Sequence, residues 1–259
     1  MKKIMKFFKN KEFEYGLVLS GGASRGFAHL GVIEALHEHH IYPEIISGAS
    51  AGSIVGGFYA DGKKPREVLQ FFMEKKVVDF INLSFNGYGL LKIKGFRQFL
   101  EKNLKAKTFE ELEKKLIIVK TNLNDGKPEY INSGDLIEAI IASSSIPALF
   151  DPIIKDKIVY VDGGVTNNFP VEPIKNACKK LIGVHVNPIG KDDNIDGIRK
   201  IALRSFHLSV ASGINEKKKL FDYYIEPQEL KSFGYFDIER AEEIFDIGYK
   251  EAMKVLEKG

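Results

Sequence analysis

Gly48-Ala-Ser-Ala-Gly52 sets a serine among small residues. This is the G-x-S-x-G pattern of a sharp strand-to-helix turn that lifts a nucleophilic hydroxyl clear of a sheet. Glu44-Ile-Ile-Ser47 reads as a short strand and Ser53 to Ala60 as a helix, so Ser50 falls where such a turn belongs. The helix start after it directs free amides and the positive end of its dipole toward the place where an attacked carbonyl gathers charge. Small residues around a serine also make ordinary tight turns, so the chemistry rests on what else the chain brings to Ser50.

A second turn, Ser20-Gly-Gly-Ala-Ser-Arg-Gly26, follows the strand-like Tyr15 to Ser20 and precedes the helix-like Phe27 to Leu36. Its glycines leave several N–H groups unhindered, a nest able to hold negative charge. A nucleotide-phosphate loop is the competing reading, but the Lys-Ser/Thr ending is missing and the G-x-G-x-x-G pattern fails at Ala23. An oxyanion hole from the amides around Gly21, Gly22 and Ala23 fits better; Arg25 could buttress the loop or touch an anionic head group, an ion pair holding the helix start being the favoured role, and Gly26 supports the loop. The third element, Val159-Tyr-Val-Asp-Gly-Gly164, is a strand ending in a carboxylate beside two glycines. Asp-Gly is also a common turn sequence, so Asp162, Gly163 and Gly164 gain weight only from the company they keep.

These three elements, in this order, resemble the glycine-rich loop, serine elbow and Asp-Gly-Gly motif of patatin-like phospholipases. The stretches Leu17 to Gly22, Gly31 to Leu36, Ser143 to Phe150 and Asp162 to Pro170 share that character, and the likeness runs from Tyr15 to the last helix. One departure is Ala23, where the family usually has a third glycine; alanine still supplies its N–H unless the position requires positive φ. The resemblance implies a Ser-Asp dyad without histidine. Asp162 would take the proton of Ser50, then activate water against the acyl-enzyme. Gly48 and Gly52 flank the elbow. It also implies phospholipids or lysophospholipids as substrates, with general esterase or thioesterase action and a non-catalytic lipid-binding role as alternatives.

His185 and His207 follow Asp162 in the chain order of a Ser-Asp-His triad. His185 sits in Ile182-Gly-Val-His-Val186 and reads as a strand residue with a structural role. His37, His39 and His40 lack zinc-binding spacing, and no carboxylate cluster has that of a calcium loop, so no metal or other cofactor is expected. Cys178 is the only cysteine, which excludes an internal disulfide.

These residues need a scaffold, and the chain offers one. Further strands are predicted at Leu116 to Lys120, Ile158 to Val161, Leu181 to Val186 and Tyr223 to Ile225, with helical patterns between most of them. That alternation predicts a three-layer α/β/α sandwich around a mainly parallel sheet. Pro65 should open a helix through Val68, Leu69, Phe72 and Met73, and Asp237 should cap the last helix. In this chain of 259 residues, 13–259 are expected to form one domain, preceded by a basic and apolar segment at 1–12. That segment reads either as a frayed terminus or as a surface helix touching anionic lipid. Asn82 to Gly95, with three glycines and no period, is a lid candidate.

With 38 basic against 35 acidic residues, nucleic acid is an improbable partner. No apolar run reaches membrane-span length and no signal peptide is evident. The expected place is the cytoplasm, with peripheral contact at the inner face of the membrane, and a homodimer is left open.

Overall fold

The computed structural model describes residues 11–74, 82–83, 91–92, 94–147, 149–191, 194–211 and 213–258. Met1 to Asn10, and the lid candidate apart from residues 82–83, 91–92 and 94–95, lie outside them. In chain order the strands are β1 (Phe13–Leu19), β2 (Ile45–Ala49), β3 (Asn82–Leu83), β4 (Leu91–Lys92), β5 (Lys115–Asn122), β6 (Lys127–Ile131), β7 (Ile153–Lys155), β8 (Ile158–Asp162), β9 (Cys178–Val184) and β10 (Tyr223–Ile225). The helices are α1 (Phe27–Glu38), α2 (Ala51–Ala60), α3 (Pro65–Met73), α4 (Lys94–Asn103), α5 (Leu136–Ser143), α6 (Gly164–Asn167), α7 (Gly197–Val210), α8 (Ile214–Lys218) and α9 (Ala241–Leu256).

The central sheet runs β10-β9-β1-β2-β5-β8-β7, with β6 also on β5. Neighbours from β10 to β5 are parallel, as the strand-turn-helix repeats predict. Beyond β5 the sheet turns antiparallel, because β6 and β8 both oppose β5 and β7 opposes β8. The sheet is therefore mixed. Lys155 pairs with Ile158 across a two-residue loop whose Asp156 and Lys157 have φ of 51° and 66°. That is the backbone of a tight hairpin, usually signalled by Asn-Gly or Asp-Gly. Here no glycine marks it.

Side chains alternate between the two faces of the sheet, as a pleated strand demands. Leu17, Leu19, Ile46, Leu116 and Ile118 join the larger core with α1, α2, α5 and α9. Val18, Ile45 and Ile117 join a smaller one with Phe169, Val171 and Ile174 of the segment after α6 and with Ile214 of α8. The sheet thus lies between two covering layers. Helices α1 and α9 approach closely because a Cβ on Gly31 would strike the Phe245 carbonyl, and one on Gly248 the Ala28 carbonyl.

Pro65 stands in the first turn of α3, where its missing N–H costs nothing. Asp237 does not cap the last helix. Its carboxylate accepts from the Gly234 amide at 2.8 Å and braces the preceding turn, and α9 begins after a 3₁₀ turn with Arg240 at its N-cap.

Candidate active site

Strand register brings Ser50 and Asp162 to the same level of the sheet. Ala49, the last residue of β2, pairs with Val119, while Asp162, the last of β8, pairs with the adjoining Lys120. Ser50 and Asp162 therefore flank β5, their backbones about two strand spacings, ~10 Å, apart, a gap two side chains can span.

Ser50 adopts φ 49° and ψ −120°, a conformation held only where the surroundings overdetermine it. Its amide donates to Ser143 Oγ at 2.9 Å, and Ser143 donates to the Val119 carbonyl at 2.6 Å. The Ser50 carbonyl accepts from the Ser53 amide and hydroxyl, at 2.8 and 2.6 Å. Small neighbours are obligatory, since a Cβ on Gly48 would strike the Gly52 carbonyl and one on Gly52 the Leu19 carbonyl.

Asp162 is buried to 1% exposure. Its Oδ1 accepts from the Gly164 amide at 2.7 Å, and among the described residues its Oδ2 has no partner of standard hydrogen-bond geometry. Burial pushes the carboxyl up to about 7, against the opposing pull of the neighbouring Ser50 hydroxyl and the Gly164 amide. A Cβ on Gly163 would strike the Val119 carbonyl, so the turn after Asp162 also packs against β5.

Of the three expected oxyanion donors, Gly21 is already engaged: its amide donates to the Asn168 carbonyl at 3.2 Å. Its own carbonyl accepts from the Asn187 side-chain amide, so the peptide groups of Gly21 are held on both sides. Gly22 and Ala23 line the same cavity as Ser50, and among the described residues no hydrogen bond engages their amides. Ala23 has φ 49°, so the alanine occupies a left-handed position that favours glycine.

Among the described residues Arg25 does not form the expected ion pair. The buried guanidinium donates from Nε and Nη2 to the Phe233 carbonyl, at 3.0 and 2.6 Å, and lies over the Tyr235 ring at 5.1 Å. Ser24 adds its amide to the Tyr235 carbonyl at 3.2 Å and its hydroxyl to the Gly234 carbonyl at 2.9 Å. Arg25 and Ser24 thus fasten the glycine turn to a segment more than 200 residues on. Gly26 packs on the elbow, where an added Cβ would come within 2.6 Å of the Ala51 Cβ.

Above Ser50 opens an apolar cavity of about 180 Å³, walled by Phe27, Leu30, Ile54, Phe72, Phe96 and Phe150 among others. A smaller cavity of about 30 Å³ adjoins it, sharing Ala23, Ser50, Ile146 and Tyr235, and is bounded by Asp162, Asn168 and Asn187. Local sequence does not single out Ser143, Asn187 or Tyr235 for the site. Ser143 and Asn168 lay within stretches of family character, but only the fold gives them partners.

Among the described residues neither His185 nor His207 hydrogen-bonds to Ser50 or Asp162. His185 Nδ1 lies 2.7 Å from Glu226 Oε1, and its ring packs against Phe169. His207 packs against Tyr235, and burial, with Arg25 and Arg204 nearby, pushes it down to about 4. Cys178 is buried and its thiol is pushed up to about 12 by burial, far from a thiolate. Among the described residues no His, Cys, Asp and Glu gather into a metal-holding group, and no helix is long and apolar enough to cross a membrane.

A family model described as patatin-like phospholipase matches residues 17–175. Lysophospholipase NTE1 of Lodderomyces elongisporus is 27% identical over 286 residues, covering 93% of this chain and 19% of that protein. Lysophospholipase NTE1 of Candida albicans is 28% identical over 286 residues, covering 92% and 19%. The chain therefore spans about a fifth of the length of these curated relatives. Among solved structures, VipD of Legionella pneumophila superposes with a TM-score of 0.64 at 16% identity, covering 100% of this chain and 72% of that one. At that identity the likeness is one of fold.

Proposed function

The chain belongs to the patatin-like phospholipase family, and on that premise we propose that it is a serine acyl hydrolase cleaving carboxylic esters of phospholipids or lysophospholipids through Ser50 and Asp162. The observation that carries this reading is the pairing of a strained serine with a buried, half-satisfied carboxylate beneath an apolar cavity. Asp162 accepts the Ser50 proton as Oγ attacks the ester carbonyl, and the free amides of Gly22 and Ala23 meet the developing oxyanion. The Gly21 peptide positions them. Collapse of the tetrahedral species expels the alcohol, which takes the proton from Asp162 and leaves the acyl group on Ser50. Water then attacks, gives its proton to Asp162, and the acid departs as Ser50 recovers its hydrogen.

The cavity supports a lipid acyl chain, because its walls are aliphatic and aromatic and would repay transfer of methylene groups from water at about 0.8 kcal/mol each. The name shared by the yeast relatives favours lysophospholipids within that class. Exposed Phe236 at this cavity and exposed Ile198, Ile201 and Leu208 of α7 support contact with a lipid surface.

Fatty acid release should be followed from micellar lysophosphatidylcholine and from a soluble short-chain ester. The reading expects chain-dependent release from the micelles, abolished by Ser50→Ala. Hydrolysis of the short ester alone would move the assignment to a general esterase, and no hydrolysis of either would leave a lipid-binding role.

A further inference from the structure

We infer that the small cavity beside Ser50 holds the water that hydrolyses the acyl-enzyme, and that Asn168 and Asn187 orient it. The inference rests on Ser50 and Asp162 acting as proposed above. Three residues lining this cavity, Asp162, Asn168 and Asn187, are exposed by only 1%, 7% and 2%. Each has one buried polar atom without a standard hydrogen bond among the described residues, namely Asp162 Oδ2, Asn168 Nδ2 and Asn187 Oδ1. In the acyl-enzyme the Ser50 oxygen beside Asp162 no longer has a hydrogen to give. Buried polar atoms are nearly all paired in folded proteins, by protein or by ordered water, so three at one cavity beside a nucleophile point to a shared ligand.

Their chemistry is that of a water site. Two acceptors and one donor match a molecule that gives two hydrogens and receives one, leaving a lone pair for the acyl carbon. The orientation of Asn187 is set, since its amide nitrogen is committed to the Gly21 carbonyl and its oxygen is left to accept. Size decides the occupant. About 30 Å³ exceeds the roughly 10–15 Å³ that one water requires, yet is far too small for a glycerophosphoryl group. In the step itself the water oxygen bonds to the acyl carbon while one hydrogen passes to Asp162 Oδ2. The bond from carbon to Ser50 Oγ then breaks, and Oγ takes that proton.

The test separates acylation from deacylation. Asn168→Leu keeps the side-chain volume and removes the donor, while Asn168→Ser restores a small one. With a p-nitrophenyl ester, Asn168→Leu should release about one equivalent of nitrophenol in a burst and then turn over at least about tenfold slower than wild type. Intact mass should show acyl adduct on Ser50, fluorophosphonate labelling should stay within about threefold of wild type, and Asn168→Ser should recover most of the turnover. Three results would overturn the water site: labelling and turnover falling together with no adduct, in either variant; wild-type turnover in Asn168→Leu; or a defect confined to lysophospholipids, whose free hydroxyl would then be the occupant. A wild type that neither labels nor turns over would instead remove the nucleophile assignment, and the water site with it.

Discussion

Ser143, 93 residues from Ser50 in the chain, receives the Ser50 backbone amide on its hydroxyl at 2.9 Å. That hydroxyl donates its own hydrogen to the Val119 carbonyl, so the strained elbow is tied to β5. The end of α5 thereby helps set where Ser50 stands. Ser143→Ala leaves the Ser50 N–H and the Val119 carbonyl without this partner, a loss of about 1–3 kcal/mol. Thermal melting should show that loss, and fluorophosphonate labelling of Ser50 should slow more than a fold-wide destabilisation explains. Unchanged labelling with a lowered melting point would make Ser143 a packing residue only.

Asp162 imposes a pH dependence of definite sign. As the proposed base it must be ionised to accept a proton, so kcat/KM for a neutral ester should rise with pH through about 7. Stability runs the other way. The folded-state value of about 7 lies above the ordinary 3.8, so the stabilising contribution is complete below 3.8 and is lost as pH rises through 7. Asp162→Asn, inactive, should melt higher than wild type at pH 8 and at nearly the same temperature at pH 4. The span from 3.8 to about 7, at about 1.36 kcal/mol per pH unit, limits the difference to roughly 4 kcal/mol. A melting difference that does not change between pH 4 and pH 8 would contradict the buried-carboxylate argument.

At φ 49°, Ala23 carries a side chain where glycine is at ease. Ala23→Gly should relieve up to about 1 kcal/mol after the added flexibility of the unfolded chain is set against it, with labelling preserved because the amide remains. Ala23→Val should be destabilising and slow to label, since a β-branched side chain resists positive φ. Equal melting temperatures for the glycine, alanine and valine forms would show that the turn carries no such strain.

The histidines provide a separate check on the mechanism. His185 faces Glu226 and His207 packs on Tyr235, so His185→Gln and His207→Gln should each keep labelling within about threefold while lowering the melting temperature. Loss of labelling in either folded variant would restore a triad.

The candidate site was legible where its signals are local. Ser50, Asp162 and the glycine turn each sit at the end of a strand, inside a short motif whose small residues follow from close backbone approach. The rest depends on distant pairings. Asn187 reaches Gly21 across 166 residues and Arg25 reaches Phe233 across 208, and nothing near any of them in the sequence announces those contacts. Gly21 shows the same limit: its type suits an oxyanion loop, but only the fold reveals that its amide is spoken for by Asn168. The parallel half of the sheet was readable from its strand-turn-helix repeats. The β7–β8 hairpin was not, because Asp156-Lys157 makes a tight turn without the glycine that usually declares one, whereas the β5–β6 turn does carry Asp125-Gly126.

The most direct test of the Ser50–Asp162 assignment is intact-mass labelling with a fluorophosphonate, followed by mapping of the modified peptide. The expected result is one adduct on Ser50, absent in Ser50→Ala and formed at least about a hundredfold more slowly in folded Asp162→Asn. An adduct on another residue, or labelling of Asp162→Asn at the wild-type rate, would contradict it.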